Sequence, residues 1–207
     1  MPGHLVLVRH GETAWSRTGR HTGRTDIPLT DDGRAEAASV APTLVGWSIG
    51  AAVTSPLTRA KETAEIAGFP CGLAVDDQLV EWDYGQLEGL TQAEIVERRP
   101  GFSKWHDPVP LGESPDEVGE RADDVIRRWA PAPDGPDVVL FAHGHLLAIL
   151  AARWTGLPAV EGRRFPLETA TLTVLGTKRN DRVIRRLNHR CGLPLPERPA
   201  ERAEADR

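Results

Sequence analysis

Apolar and β-branched residues gather in four short runs, His4 to Val8, Gly50 to Thr54, Asp137 to Phe141 and Thr171 to Leu175. Each is too short for a helix and is bounded by turn-forming residues, so each predicts a buried strand. Leu73 to Val75 is a weaker fifth candidate, and Arg182 to Leu187 a sixth, expected antiparallel at a sheet edge. Helical patterns fill most of the gaps. Thr30 with Asp31 and Asp32 reads as a helix start, and apolar Ala35, Ala38, Ala41, Leu44 and Val45 follow it. Ser55-Pro56 predicts a second start, with the serine as cap and the proline in the first turn. Ser114-Pro115-Asp116-Glu117 is a capping box, after which Val118, Ala122, Val125, Ile126 and Trp129 recur at helical spacing. A further helix, Leu146 to Trp154, comes directly after the strand that ends at Phe141.

Strands alternating with helices imply parallel pairing through right-handed crossovers, hence an α/β fold: a three-layer α/β/α sandwich with a mostly parallel central sheet. With 207 residues, 40% of them hydrophobic and 27% charged, one domain is expected over 1–193. From Pro194 onward the Pro, Glu, Arg and Ala content cannot build a core, which predicts a flexible tail over 194–207. No stretch of about 18 apolar residues occurs, so no membrane association is expected. A net charge of −5 argues against nucleic acid as a partner, because phosphate backbones select clustered positive surface. Cys71 and Cys191 have no metal or disulfide spacing and read as reduced, in keeping with a cytoplasmic protein.

Chemistry concentrates where the strands end. Arg9-His10-Gly11 follows the first, Arg59 lies just past the second, and His143-Gly144-His145 follows the run Val138 to Phe141. In a parallel sheet these junctions share the edge at which open α/β sheets keep their ligand crevice. Two helix N-termini at that edge would add backbone N–H donors, making a phosphate-sized anion site. A histidine flanked by arginines can attack phosphorus when its reacting nitrogen is unprotonated, as a hydrogen bond from the other nitrogen would ensure. Glu81, after a short strand candidate and among aromatic residues, is the candidate proton donor for the leaving oxygen, with Asp83 as fallback.

These residues fall in an ordered series. Arg9 to Thr13, Thr22 to Thr30, Thr54 to Ala64, Glu81 to Gly85 and Phe141 to His145 together resemble the motifs of the histidine phosphatase superfamily, over residues 4 to about 175. The resemblance implies that His10 is the phosphorylated nucleophile, Glu81 the proton donor, and Arg9, Arg59 and His143 the phosphate pocket. Ser16, Thr22, Gly23 and Gly144 would add donors at its rim, and Ser16 stands where relatives often carry Asn. Trp82, Tyr84 and Trp105 would wall the substrate, Glu113 would repel carboxylated substrates, and the 86–115 segment would shape the mouth.

The reading that follows is a phosphomonoester hydrolase of the acid or sugar-phosphate type, without cofactor or metal. Its partner would be a small phosphorylated substrate, and a homo-oligomer is compatible with it. The alternatives are a cofactor-dependent phosphoglycerate mutase and a non-catalytic module that binds a phosphorylated ligand. Residues 82–142, 61 in number, leave no room for the long insertion of the mutases, and Arg98-Arg99 sits too near Glu81 to replace their carboxylate grip. His4, His21, His106, His145 and His189 read as core, surface or loop histidines, and Trp47, Trp129 and Trp154 as core.

Overall fold

The computed structural model describes residues 3–179 and 181–192, so the tail expected over 194–207 lies outside the described residues. Six strands form one sheet in the order β3-β2-β4-β1-β5-β6: β1 Leu5–Arg9, β2 Ile49–Thr54, β3 Ala74–Val75, β4 Asp137–Ala142, β5 Thr171–Lys178 and β6 Asp181–Arg190. β1 to β4 run parallel, as the alternation predicted. The central β4 is buried at every position, the burial expected of a parallel strand covered on both faces.

Side-chain alternation along β1 divides the core. Leu5 and Leu7 face a layer made by α6 Pro115–Trp129 and α7 Gly144–Trp154, whereas Val6 and Val8 face α3 Val40–Thr43 and α4 Thr58–Ile66, on which α2 Asp31–Ala38 packs. Of the two short helices, α5 Gln92–Arg98 joins the first of these layers through buried Ile95, and α1 Ala14–Arg17 buries no residue. α6 begins at the predicted capping box: Ser114 Oγ accepts from the Glu117 N–H, and the Glu117 carboxylate accepts from the Ser114 N–H.

Three expectations are corrected. The helix read through Ala35 to Val45 breaks at Ser39, whose hydroxyl donates to the Glu36 carbonyl. The break places Pro42 in the first turn of α3, where its missing N–H leaves no helical bond unmade. α4 begins at Thr58, not at Ser55-Pro56, and its Thr58 N–H and hydroxyl both donate to Asp26. β5 runs antiparallel to β1, with Leu172 opposite Val8, although strand-helix alternation implied a parallel partner. After α7 the chain climbs back along residues 155–170 to the carboxyl edge of the sheet, and the Ala170 N–H there donates to the carbonyls of Arg9 and His10. That return path brings residues 162–167 beside His10.

Candidate active site

His10 continues the sheet by one residue, its backbone N–H donating to the Ala142 carbonyl at 3.0 Å. Ser55 does the same to Phe141, so the ends of β1, β2 and β4 are tied at one level. α2 locks the loop from above. Gly33 packs backbone to backbone on it, and a Cβ there would stand 2.0 Å from the Glu12 carbonyl oxygen.

The His10 ring is buried, and its Nδ1 lies 2.7 Å from the Gly11 carbonyl oxygen. A carbonyl only accepts, so Nδ1 carries the proton. Burial first, then the charges of Arg59 and Arg9, push the His10 pKa well below the ordinary imidazole value, so the ring stays neutral and Nε2 keeps its lone pair. Beside it, Arg9 donates through Nη1 to the Leu167 carbonyl at 2.5 Å. Its buried Nε has no hydrogen-bond partner among the described residues. A buried guanidinium N–H without an acceptor is an uncommon expense.

His10, Arg9, Glu81, Ser16, Thr22, Tyr84, Trp105 and Gly144 line one cleft of about 370 Å³. Its remaining walls include Arg20, His21, His145, Arg163 and Phe165. Arg59 and His143 are wholly buried beneath His10 rather than on the wall, with the His10 and His143 ring centroids 5.2 Å apart. Arg59 Nε donates to His143 Nδ1 at 3.2 Å, which puts the neutral ring's proton on Nε2, 2.8 Å from Ser55 Oγ. The other Arg59 donors hold the carbonyls of Thr22, Gly23 and Thr25. Burial and then Arg59 depress the His143 pKa as well. The rings of His10 and His143 are therefore both uncharged.

The sequence and the fold place the chain in a known family. The model of the histidine phosphatase superfamily (branch 1) matches residues 5–190. The chain belongs to that superfamily. This histidine phosphatase is 40% identical over 179 residues to a Mycobacterium tuberculosis protein named acid phosphatase, across 83% of the chain and 85% of the relative. It is 35% identical over 177 residues to a Cronobacter sakazakii protein named probable phosphoglycerate mutase GpmB, across 82% of each. A solved structure of an open reading frame product from Mycobacterium tuberculosis superposes with a TM-score of 0.86 at 37% identity, covering 91% of this chain and 98% of that one.

Within the histidine phosphatase, several sequence expectations are revised. The helix N-termini expected to cradle phosphate are already occupied by carboxylates: Asp26 holds Thr58 at α4, and Glu81 holds the His145 and Leu146 N–H groups at α7 (3.0 and 2.9 Å). Glu81 also accepts from the Trp82 N–H at 2.9 Å. The Gly23 N–H is not available to a ligand, because it donates to Glu88 at 2.9 Å. Trp82 is wholly buried behind the cleft, stacked on Tyr84 with its indole N–H on the Glu113 carbonyl, and does not touch the space a substrate would fill. Glu113 is held by Arg121 (2.8 Å) and by the Asp83 N–H, away from the cleft. Of the 86–115 segment, Trp105 alone reaches the lining. The mouth comes instead from residues 16–22 and 162–167.

His21 and His145, read from sequence as structural histidines, stand in the cleft wall. His21 spends both nitrogens on the protein, Nδ1 on the Leu90 carbonyl (2.9 Å) and Nε2 on the Lys104 ammonium (3.0 Å). Burial and Lys104 push its pKa down to about 4. The spacing His143-x-His145 was the available signal, yet the two rings face different partners.

Proposed function

We propose that this chain hydrolyses phosphate monoesters through a phosphohistidine on His10, with Glu81 as proton donor and then acceptor. The observation that carries the reading is the His10 tautomer: Nδ1–H is committed to Gly11, leaving Nε2 unprotonated in the ring that lines the same cleft as Arg9. In the first step Nε2 attacks phosphorus, the ester P–O bond breaks, and the leaving oxygen takes a proton from Glu81. The proton reaches Glu81 with the monoanionic ester, whose second ionisation lies near pH 6. In the second step water attacks phosphorus, the P–N bond breaks with its electrons returning to Nε2, and Glu81 takes the water proton. Inorganic phosphate leaves.

Charge spreads over the equatorial oxygens in such a transfer, so most of the rate enhancement falls to fixed cations and donors. Arg9 supplies them at the wall, and Arg59 supplies positive charge from below while holding His143 and the 22–25 loop. His10→Ala lowers turnover of an aryl phosphate by roughly a thousandfold or more. An acid-labile, alkali-stable phosphoryl group is trapped on the wild type and not on the variant, and EDTA leaves the rate unchanged. Retained turnover in the variant overturns the reading. With 3-phosphoglycerate the product is inorganic phosphate; accumulation of 2-phosphoglycerate instead would establish the mutase.

A further inference from the structure

The backbone N–H of His145 holds Glu81, but its side chain has work of another kind. The ring is caged by Trp82, Tyr84 and Trp105, with centroids 6.0, 5.7 and 5.6 Å away. Its Nδ1 lies 2.5 Å from the Tyr84 hydroxyl. Its Nε2 has no partner among the described residues and is absent from the buried unsatisfied atoms, so it opens to the cleft that the half-buried side chain lines. His21, stacked parallel to it at 6.4 Å, has both nitrogens occupied and offers nothing comparable.

The proton positions follow from the surroundings. Burial, then the positive charge of Lys104, hold the His145 ring neutral, while burial and Glu81 keep Tyr84 in its O–H form. His145 is the sole hydrogen-bond partner of the Tyr84 hydroxyl among the described residues, so that O–H donates to Nδ1. The proton of the neutral imidazole is then on Nε2. His145 thus presents one oriented, uncharged N–H donor to the cleft.

We propose that His145 is a specificity-determining residue whose Nε2–H, fixed by Tyr84, donates to a hydroxyl oxygen in the alcohol part of the substrate. The cleft then selects phosphate esters of polyhydroxy alcohols over esters of plain alkyl chains. This rests on the phosphohydrolase reading. The His145 Nδ1 stands 4.0 Å from Glu81 Oε2, the carboxylate that protonates the leaving oxygen, so a hydroxyl close to the ester oxygen is the one within reach. Trp105, Phe165, Pro166 and Ala148 supply apolar faces for the carbon skeleton. A neutral donor matches a neutral hydroxyl, whose absence leaves the N–H unpaired once the bound ester covers it.

The test compares glycerol 1-phosphate with propyl phosphate, which lacks the hydroxyls. The ratio of their kcat/KM values cancels the concentration of active enzyme, so partial unfolding of a variant cannot imitate the effect. The wild type favours glycerol 1-phosphate about tenfold or more. His145→Ala removes that preference, chiefly through KM; Tyr84→Phe weakens it by freeing the ring proton; and His145→Gln, which keeps an N–H donor, restores part of it. A wild type without the preference, or a His145→Ala ratio equal to that of the wild type, overturns the proposal and leaves the phosphohydrolase reading standing. A wild type that hydrolyses neither ester nor an aryl phosphate overturns that reading, and this proposal with it.

Discussion

The Arg9 guanidinium packs closely on Gly144 at the start of α7. A Cβ on Gly144 would stand 3.3 Å from Arg9 Cζ and Nε, close enough that the guanidinium must yield by a few tenths of an ångström. Gly144→Ala is therefore expected to lower kcat/KM on an aryl phosphate about tenfold, since small misplacements of charge near phosphorus are costly. The thermal midpoint stays within a few degrees, because alanine suits a helix better than glycine. A rate within twofold of wild type would show that Arg9 tolerates the shift. At this scale the sequence was most legible where chemistry is local: His10, Arg9, Arg59, Glu81 and His143 all converge near the carboxyl ends of β1, β2 and β4. Trp82 was misread because adjacency to Glu81 says nothing about which side of the backbone it occupies. His21 and His145 were missed because they meet only through chain reversals far apart in sequence, at Leu90 and Tyr84.

Among elements, α2 has a task its composition hardly announces. Its backbone at Gly33 touches Glu12, and a Cβ on Gly11 would reach within 2.2 Å of the Gly33 carbonyl oxygen. No flexible side chain lies between the two that could give way. Gly33→Ala is expected to cost about 2 kcal/mol in urea unfolding, the scale of overpacking a tight contact, and to reduce turnover by displacing the His10 loop. Unchanged stability together with unchanged kcat/KM would refute the contact as a constraint. Strand positions were legible to within a few residues, because continuous apolar runs dictate buried strands. The direction of β5 was not: it depends on the path of residues 155–170, whose polar and proline-containing sequence encodes no regular element longer than a 3-10 turn. The true start of α4 depended likewise on a distant side chain, Asp26, taking the capping role that Ser55 was expected to fill.

For the whole molecule, acid is the expected weak point. His10, His21, His143 and His145 are all held neutral in the fold, with burial the largest cause in each. Unfolded, each would take up a proton near pH 6.5. Between that value and its lower folded pKa the unfolded chain binds more protons, so stability falls as pH drops below about 6.5. For His21, whose folded value is about 4, the loss is on the order of 3 kcal/mol. Urea midpoints are expected to hold between pH 7.5 and 6.5, to fall steeply by pH 4.5, and to fall less in His21→Gln. A midpoint independent of pH over that range would contradict the buried neutral rings.

Glu81 is at once the group assigned the proton transfers and the carboxylate that closes the first turn of α7. Selection on the fold and selection on the chemistry thus converge on the same two oxygens. A descendant that had ceased to turn over substrate would still have reason to keep that glutamate after His10 had drifted, so its survival alone testifies to an intact helix rather than to a working enzyme.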